Sequence, residues 1–273
     1  MGRSPDLTPS QVKRRTSALP ARQTRLLHQL SSRHGRRKSE FFVCEGLRVC
    51  LEAVRQKPDW IEWGVLAEGF ADDRAGPHLT GDCFPVYRVS ELEFDGFAQT
   101  DNSQGVLLVL RRPDVALRDE PRDPFVLVLD RIADPGNLGS ILRTAWAGGM
   151  RDVSLISGTT DPFGAKAVRA GMGAQFALRL SGFTNLADVR QHYATFGYDR
   201  VWVAAPDAGV SCFCDSFDPR NGLLIMGNET SGTSLMDRAE AVTIPMPGGA
   251  ESLNVAQAAA VLLFEAARRG LLS

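Results

Sequence analysis

Three short segments of the chain combine residue types that can bind and orient a polar reactant. The first, Asp130-Arg-Ile-Ala-Asp-Pro-Gly-Asn-Leu-Gly-Ser-Ile-Leu-Arg143, leaves an apolar run, turns on Pro135-Gly136 and enters an apolar helix. Asn137 stands where a helix-capping side chain belongs. Arg143 follows six residues on, about one and two-thirds turns, so the two need not share a face. Its neighbours Ile141, Leu142, Ala145 and Trp146 are apolar. A buried or half-buried guanidinium there needs an anionic partner, either a carboxylate of the fold or a phosphate. The second segment is Met226-Gly-Asn-Glu-Thr-Ser-Gly232. Turn chemistry explains Gly227, Asn228 and Gly232 but does not require Glu229. The third is Ile244-Pro-Met-Pro-Gly-Gly-Ala-Glu-Ser-Leu-Asn-Val255. Its prolines remove backbone donors and its glycines widen the allowed backbone, so the loop can hold amides and carbonyls in a fixed array. Ser252 or Asn254 can cap the helix that follows, predicted over Val255 to Arg268.

Each segment follows an apolar stretch of strand length. Phe125-Val-Leu-Val-Leu129 is uninterrupted, as in strands covered on both faces of a parallel sheet. Further strands are predicted at Val153 to Ile156, Val201 to Ala205, Leu223 to Met226 and Val242 to Ile244. Helices are predicted at Leu138 to Ala147, Lys166 to Ala170 and Leu186 to Phe196. Strands alternating with helices imply an α/β fold with a parallel sheet, and ligands of such sheets bind beyond the carboxyl ends of the strands. A smaller α/β unit precedes it. It has helices at Arg22 to Leu30 and Gly46 to Arg55, and strands at Phe41 to Cys44, Ile61 to Leu66, Val86 to Val89 and Val106 to Leu110. The expected organisation is a basic, disordered arm over 1–20, a first domain over 21–112, a Pro-rich linker over 113–123 and a second domain over 124–273.

Composition narrows the class. The chain has 273 residues, 44% hydrophobic and 23% charged, which is ordinary for a globular protein. No apolar run is long enough to span a bilayer, and the polar, basic N-terminus is no secretory signal. A cytoplasmic protein is expected. Five cysteines on a chain of this size do not suggest a disulfide framework, and four scattered histidines offer no zinc-ligand spacing. The net charge of -1 conceals an asymmetry. From Met1 to Lys38 basic residues run from Arg3 to Arg36, Arg37 and Lys38 against one acid, Asp6, a pattern that attracts polyanions. No glycine-rich dinucleotide fingerprint, P-loop, nucleophile elbow or HExxH motif is present.

Taken together, the three segments resemble the three motifs of the SpoU (TrmH) family of RNA ribose 2′-O-methyltransferases, within the SPOUT superfamily. Motif one corresponds to Asn137-Leu-Gly139-Ser-Ile-Leu-Arg143. Motif two corresponds to Gly227-Asn-Glu229-Thr-Ser-Gly232. Motif three corresponds to Ile244-Pro-Met-Pro-Gly with Ser252-Leu-Asn254-Val. Residues from about Ala21 to Arg112, carrying Arg36-Arg-Lys38 and Phe41-Phe-Val-Cys-Glu-Gly46, resemble the family's auxiliary RNA-binding domain. The resemblance implies a SPOUT domain with a deep trefoil knot, an otherwise rare topology. It implies S-adenosylmethionine as methyl donor, RNA as substrate and a homodimer. Ribosomal RNA is favoured over transfer RNA by the kind of auxiliary domain. By the same resemblance, Gly227, Ile244, Met246 and Leu253 hold the cofactor, while Arg36, Arg37 and Lys38 contact RNA. Arg143, Asn137, Glu229, Ser252 and Asn254 form the catalytic set, with Ser252 and Asn254 organising Arg143. The alternatives are an RNA-binding protein of this fold without catalysis, a transfer-RNA ribose methyltransferase, a base-modifying relative and a small-molecule enzyme.

Overall fold

The computed structural model describes residues 19–71, 79, 83–100, 102–115, 120–227 and 239–272. The arm over 1–18, the middle of the linker (116–119) and most of motif two lie outside these residues.

The first unit comprises helices α1 (Ala21–Ser31), α2 (Arg33–Arg37), α3 (Leu47–Gln56) and α4 (Glu91–Asp95) around strands β1 (Phe41–Glu45), β2 (Ile61–Ala67), β3 (Val86–Val89) and β4 (Val106–Arg111). The strand order is β1-β4-β2-β3. Strand β4 is antiparallel to both neighbours, and β2 and β3 run parallel. Val106 to Leu110 are all buried, which explains their unbroken apolar run in the middle of the sheet.

The second unit is a seven-stranded sheet, entirely parallel, in the order β7-β6-β5-β10-β8-β11-β9. Its strands are β5 (Val126–Asp130), β6 (Asp152–Ile156), β7 (Arg179–Phe183), β8 (Arg200–Ala204), β9 (Val210–Ser211), β10 (Gly222–Gly227) and β11 (Glu240–Thr243). Its helices are α5 (Pro135–Ala147), α6 (Ala165–Gly171), α7 (Ala174–Ala177), α8 (Leu186–Ala194) and α9 (Val255–Arg268). The chain builds outward from β5 to β7, crosses to β8, and then inserts β10 between β5 and β8. That reversal opens a crevice at the carboxyl ends of the strands.

The sequence patterns do not reveal β7, β9, α2, α4 and α7. In β7, Arg179, Ser181 and Gly182 interrupt the apolar run. The strand holds its edge position through β6 and through Val115, whose carbonyl accepts a hydrogen bond from the Gly182 amide at 2.7 Å. The start of α5 also differs from expectation. The helix opens at Pro135, and its cap is Asp134, whose Oδ1 accepts from the Asn137 amide at 2.8 Å. Asn137 is therefore the third helical residue, and its side chain is released from capping. At α9 the cap is Asn254 rather than Ser252, with Oδ1 accepting from the Ala256 amide at 2.9 Å.

The two units share one core. Phe42 of β1 lies 5.1 Å from Phe163 and 6.4 Å from Phe176, ring to ring. Around these rings, Asp161 accepts from Arg112 Nη2 at 3.0 Å and faces Arg36 Nε at 3.7 Å. Among the described residues no helix is long and apolar enough to cross a membrane.

Candidate active site

At the carboxyl end of the sheet, β10 and β5 approach so closely that Gly227 must lack a side chain. A Cβ there would stand 2.0 Å from the Asp130 carbonyl oxygen. On the other side of β10 lies a cleft of about 550 Å³ of empty space, part of it open to solvent. The ends of β8 and β10, the loop after β11 and the first turns of α9 form its walls. Gly227, Ile244, Met246, Ser252 and Leu253 all line it. So do Ala204, Ala205 and Pro206, which the motif reading missed. Their signal was position: they end a buried strand of the same parallel sheet.

The loop after β11 is braced at its base and open at its tip. Thr243 donates through Oγ1 to the Pro206 carbonyl at 2.8 Å, and its own carbonyl accepts from the Cys212 amide at 2.8 Å. Met246 and Gly249 close a turn through a 3.0 Å backbone bond, with Gly249 at φ 75°. Asn254 then does two things. Its Oδ1 caps α9, and its Nδ2 donates to Asn137 Oδ1 at 3.1 Å. That bond ties the first segment to the third across 117 residues of sequence.

Gly139 of motif one acts in packing. A Cβ there would lie 2.4 Å from the Ala167 carbonyl oxygen and 2.6 Å from Ala170 Cβ, so α5 and α6 can only meet through a glycine. Arg143 is exposed, against the expectation of a buried or half-buried guanidinium. It makes no hydrogen bond or ion pair with the described residues, Ser252 and Asn254 included. The reason is helical phase: Leu142 and Ala145 take the inward positions around it. Glu229 lies outside the described residues. An ion pair missed in the sequence sits beside Gly227. Buried Asp130 accepts from Arg131 Nε at 3.0 Å, and Arg131 adopts φ 54° to reach back to it.

The basic triplet divides. Arg36 Nη1 donates to the carbonyls of Leu30 and Ser31 at 3.0 and 2.9 Å, and its Nε faces Asp161. It closes the end of α1 and helps join the two units, so its guanidinium is committed within the fold rather than offered to RNA. Arg37 and Lys38 are exposed and make no ion pair with the described residues.

The model of the SpoU rRNA Methylase family matches residues 124–264, and that of the MRM3-like substrate binding domain matches residues 22–108. The chain belongs to the SpoU rRNA methylase family. It is 30% identical over 86% of its length to the 23S rRNA (guanosine(2553)-2′-O)-methyltransferase RlmP of Bacillus subtilis, covering 92% of that protein. It is 34% identical over 82% of its length to the 23S rRNA (guanosine-2′-O-)-methyltransferase RlmB of Shewanella oneidensis, covering 96% of it. The S-adenosylmethionine complex of the SpoU methyltransferase AviRb from Streptomyces viridochromogenes superposes with a TM-score of 0.78 at 27% identity, covering 93% of this chain and 99% of that one. The S-adenosylmethionine-bound rRNA methyltransferase of Sinorhizobium meliloti does so with a TM-score of 0.75 at 32% identity, covering 94% and 98%. The SpoU fold here is thus the SPOUT α/β domain with a smaller N-terminal unit, and the reaction class is S-adenosylmethionine-dependent 2′-O-methylation of RNA.

The cleft fits the adenosyl part of that donor. Among the described residues its lining carries no charged side chain. Apolar side chains can sandwich an adenine ring, while backbone groups at the strand ends can bond its polar edge.

Proposed function

We propose that this chain transfers a methyl group to a ribose 2′-hydroxyl of ribosomal RNA, as a homodimer in the cytoplasm. The observation that carries this reading is the Asn254–Asn137 bond. It draws motif one to the rim of the cleft that Gly227, Ile244, Met246 and Leu253 line. Preference for ribosomal over transfer RNA rests on the two relatives named for 23S rRNA and on the substrate-binding unit over 22–108. The domain limits we infer are 21–112 and 124–273, with 113–123 as linker. We further infer that the C-terminal segment is knotted around the cleft, in keeping with the insertion of β10 between β5 and β8. Exposed Phe264 on α9 supports a partner subunit there.

Bound S-adenosylmethionine supplies an electrophilic methyl group on a positive sulfur, so the chain itself mainly has to align the acceptor. Gly227, Ile244, Met246 and Leu253 hold the donor. The free guanidinium of Arg143 grips a phosphate of the target nucleotide and stabilises the charge that develops on the ribose oxygen. It does not take the proton, because a guanidinium offers N–H donors and no acceptor. The hydroxyl proton passes instead to an oxygen of the phosphate that Arg143 holds, as the methyl moves from sulfur to the ribose oxygen. Asn137, fixed by Asn254, orients the nucleotide, and Ser252 and Glu229 complete the rim. Arg37 and Lys38 contact RNA farther out.

The test is methyl transfer from labelled S-adenosylmethionine to bulk RNA, followed by digestion to nucleosides. A 2′-O-methylnucleoside recovered from ribosomal RNA is the expected product. A methylated base, or label confined to transfer RNA, overturns the assignment.

A further inference from the structure

A second cleft lies between the two units, outside the three motifs. It holds about 880 Å³ of empty space, part of it open to solvent. Arg33, the first residue of α2, stands on one side, and Lys166 of α6 on the other. We propose that this cleft seats a backbone phosphate of the RNA substrate, with Arg33 and Lys166 as cationic jaws contributed by the two units. The inference deepens the proposed function and rests on it for the identity of the polyanion.

Three observations point there. First, one cation is free and the other only loosely held. Arg33 is exposed and makes no ion pair with the described residues. Lys166 Nζ makes only a long, solvent-exposed ion pair with Asp134 Oδ2 at 3.9 Å, and its side chain is 65% exposed. Second, the acid within the cleft is neutralised. Asp161 is met by Arg112 and Arg36 and by the Phe163 amide at 3.0 Å, so it does not repel a phosphate. Third, the cleft adjoins the reaction site. Pro135 lines it and opens the helix that carries Asn137 and Arg143. An RNA strand passing from exposed Arg37 and Lys38 toward Asn137 therefore crosses the cleft, where the free Arg33 and the loosely held Lys166 can position a phosphate.

The experiment compares the full-length parent with Arg33→Ala/Lys166→Ala, using bulk ribosomal RNA as probe. Affinity is measured across a salt series. Each phosphate contact contributes roughly 0.7 to 0.9 to the slope of log K against log salt. The double variant is expected to lose about 0.7 to 0.9 from that slope, the share of one phosphate, and to raise KM for RNA about tenfold. Its S-adenosylmethionine affinity without RNA, and its melting temperature, are expected to match the parent. Arg33→Lys/Lys166→Arg is expected to keep the parental slope. An unchanged slope in the alanine variant, or a slope lost equally in the charge-conserving one, overturns the proposal. The slope is a binding readout. A parent that binds RNA but transfers no methyl group therefore sinks the proposed function alone.

Discussion

At the amino-terminal end of the parallel sheet the buried charges are spoken for. Asp123 and Asp152 are 2% and 5% exposed. Asp123 accepts from the Arg151 and Asp152 amides at 2.7 and 2.8 Å and from Arg151 Nε at 3.1 Å. Asp152 accepts from the Arg122 amide at 2.6 Å and pairs with Arg179. At the carboxyl-terminal end Ser252 and Asn254 are exposed, and Arg143, on the helix that starts there, has no partner among the described residues. Buried charge demands partners from the chain itself. Exposed charge left unpaired at a strand-end crevice is free to take them from a substrate. The same residue types therefore serve folding at one rim and chemistry at the other.

Substitutions should separate the two rims cleanly. Asp123→Ala strands the Arg151 and Asp152 amide donors, which costs about 1–3 kcal/mol for each left unsatisfied. That is a large share of the margin of a typical domain. A shifted denaturant midpoint, with activity per folded molecule retained, is the expected result. Arg143→Ala should leave that midpoint in place. Its methyl transfer should fall by about 10²–10³-fold, the usual loss on removing one stabiliser of developing charge. Equal activity in the Arg143 variant removes it from the mechanism. A shared midpoint shift shows that the two rims are not separable.

Much of this division was legible in the sequence, and what was not has physical causes. The apolar runs at 106–110 and 125–129 announced fully covered strands, and α9 runs from Val255 to Arg268 as its pattern implied. Three spaced motifs, each at a strand end, located the carboxyl rim. Edge strands β7 and β9 escaped because one-sided packing tolerates Gly182 and polar residues. The Asn137 capping role failed because Asp134, three residues earlier, competes for the same amide and precedes a proline suited to the first helical position. The locked amino rim was invisible for a different reason. Nothing local marks Asp123 as the partner of residues 28 and 29 positions away. Likewise Arg36, Arg37 and Lys38 look equivalent as a run, although the fold consumes the first and leaves the others.

A finer cut lies within motif one itself. Gly139→Ala forces a methyl into the α5–α6 contact and should destabilise by about 1–3 kcal/mol, as overpacking does. Thermal melting reads that loss. Asn254→Asp, by contrast, keeps an oxygen to cap α9 but deletes the donor to Asn137. Stability should stay near the parent while methyl transfer drops about tenfold, the value of one lost hydrogen bond. A variant that melts early without losing turnover would make the Asn254–Asn137 bond structural only.

Helix α9 carries the comparison in miniature, with the smallest expected effect. Its first turn meets the cleft through Asn254, and its last turn is locked. Glu265 accepts from Arg268 and Arg269, while Arg269 also donates to the carbonyls of Phe217 and Cys212 at 2.7 and 2.6 Å. Hydrogen bonds from Arg268, then Arg269, hold the Glu265 carboxyl down to about 2 against burial, which opposes them. Its folded value lies below the ordinary ~4.3 of an unfolded glutamate. The stabilisation is therefore complete above about pH 4.3 and drains away as pH falls toward 2. Glu265→Gln should lower the melting temperature by a few degrees near neutrality and flatten the acid limb between about pH 4.5 and 2. A parental acid limb in that variant would assign the loss to other carboxylates.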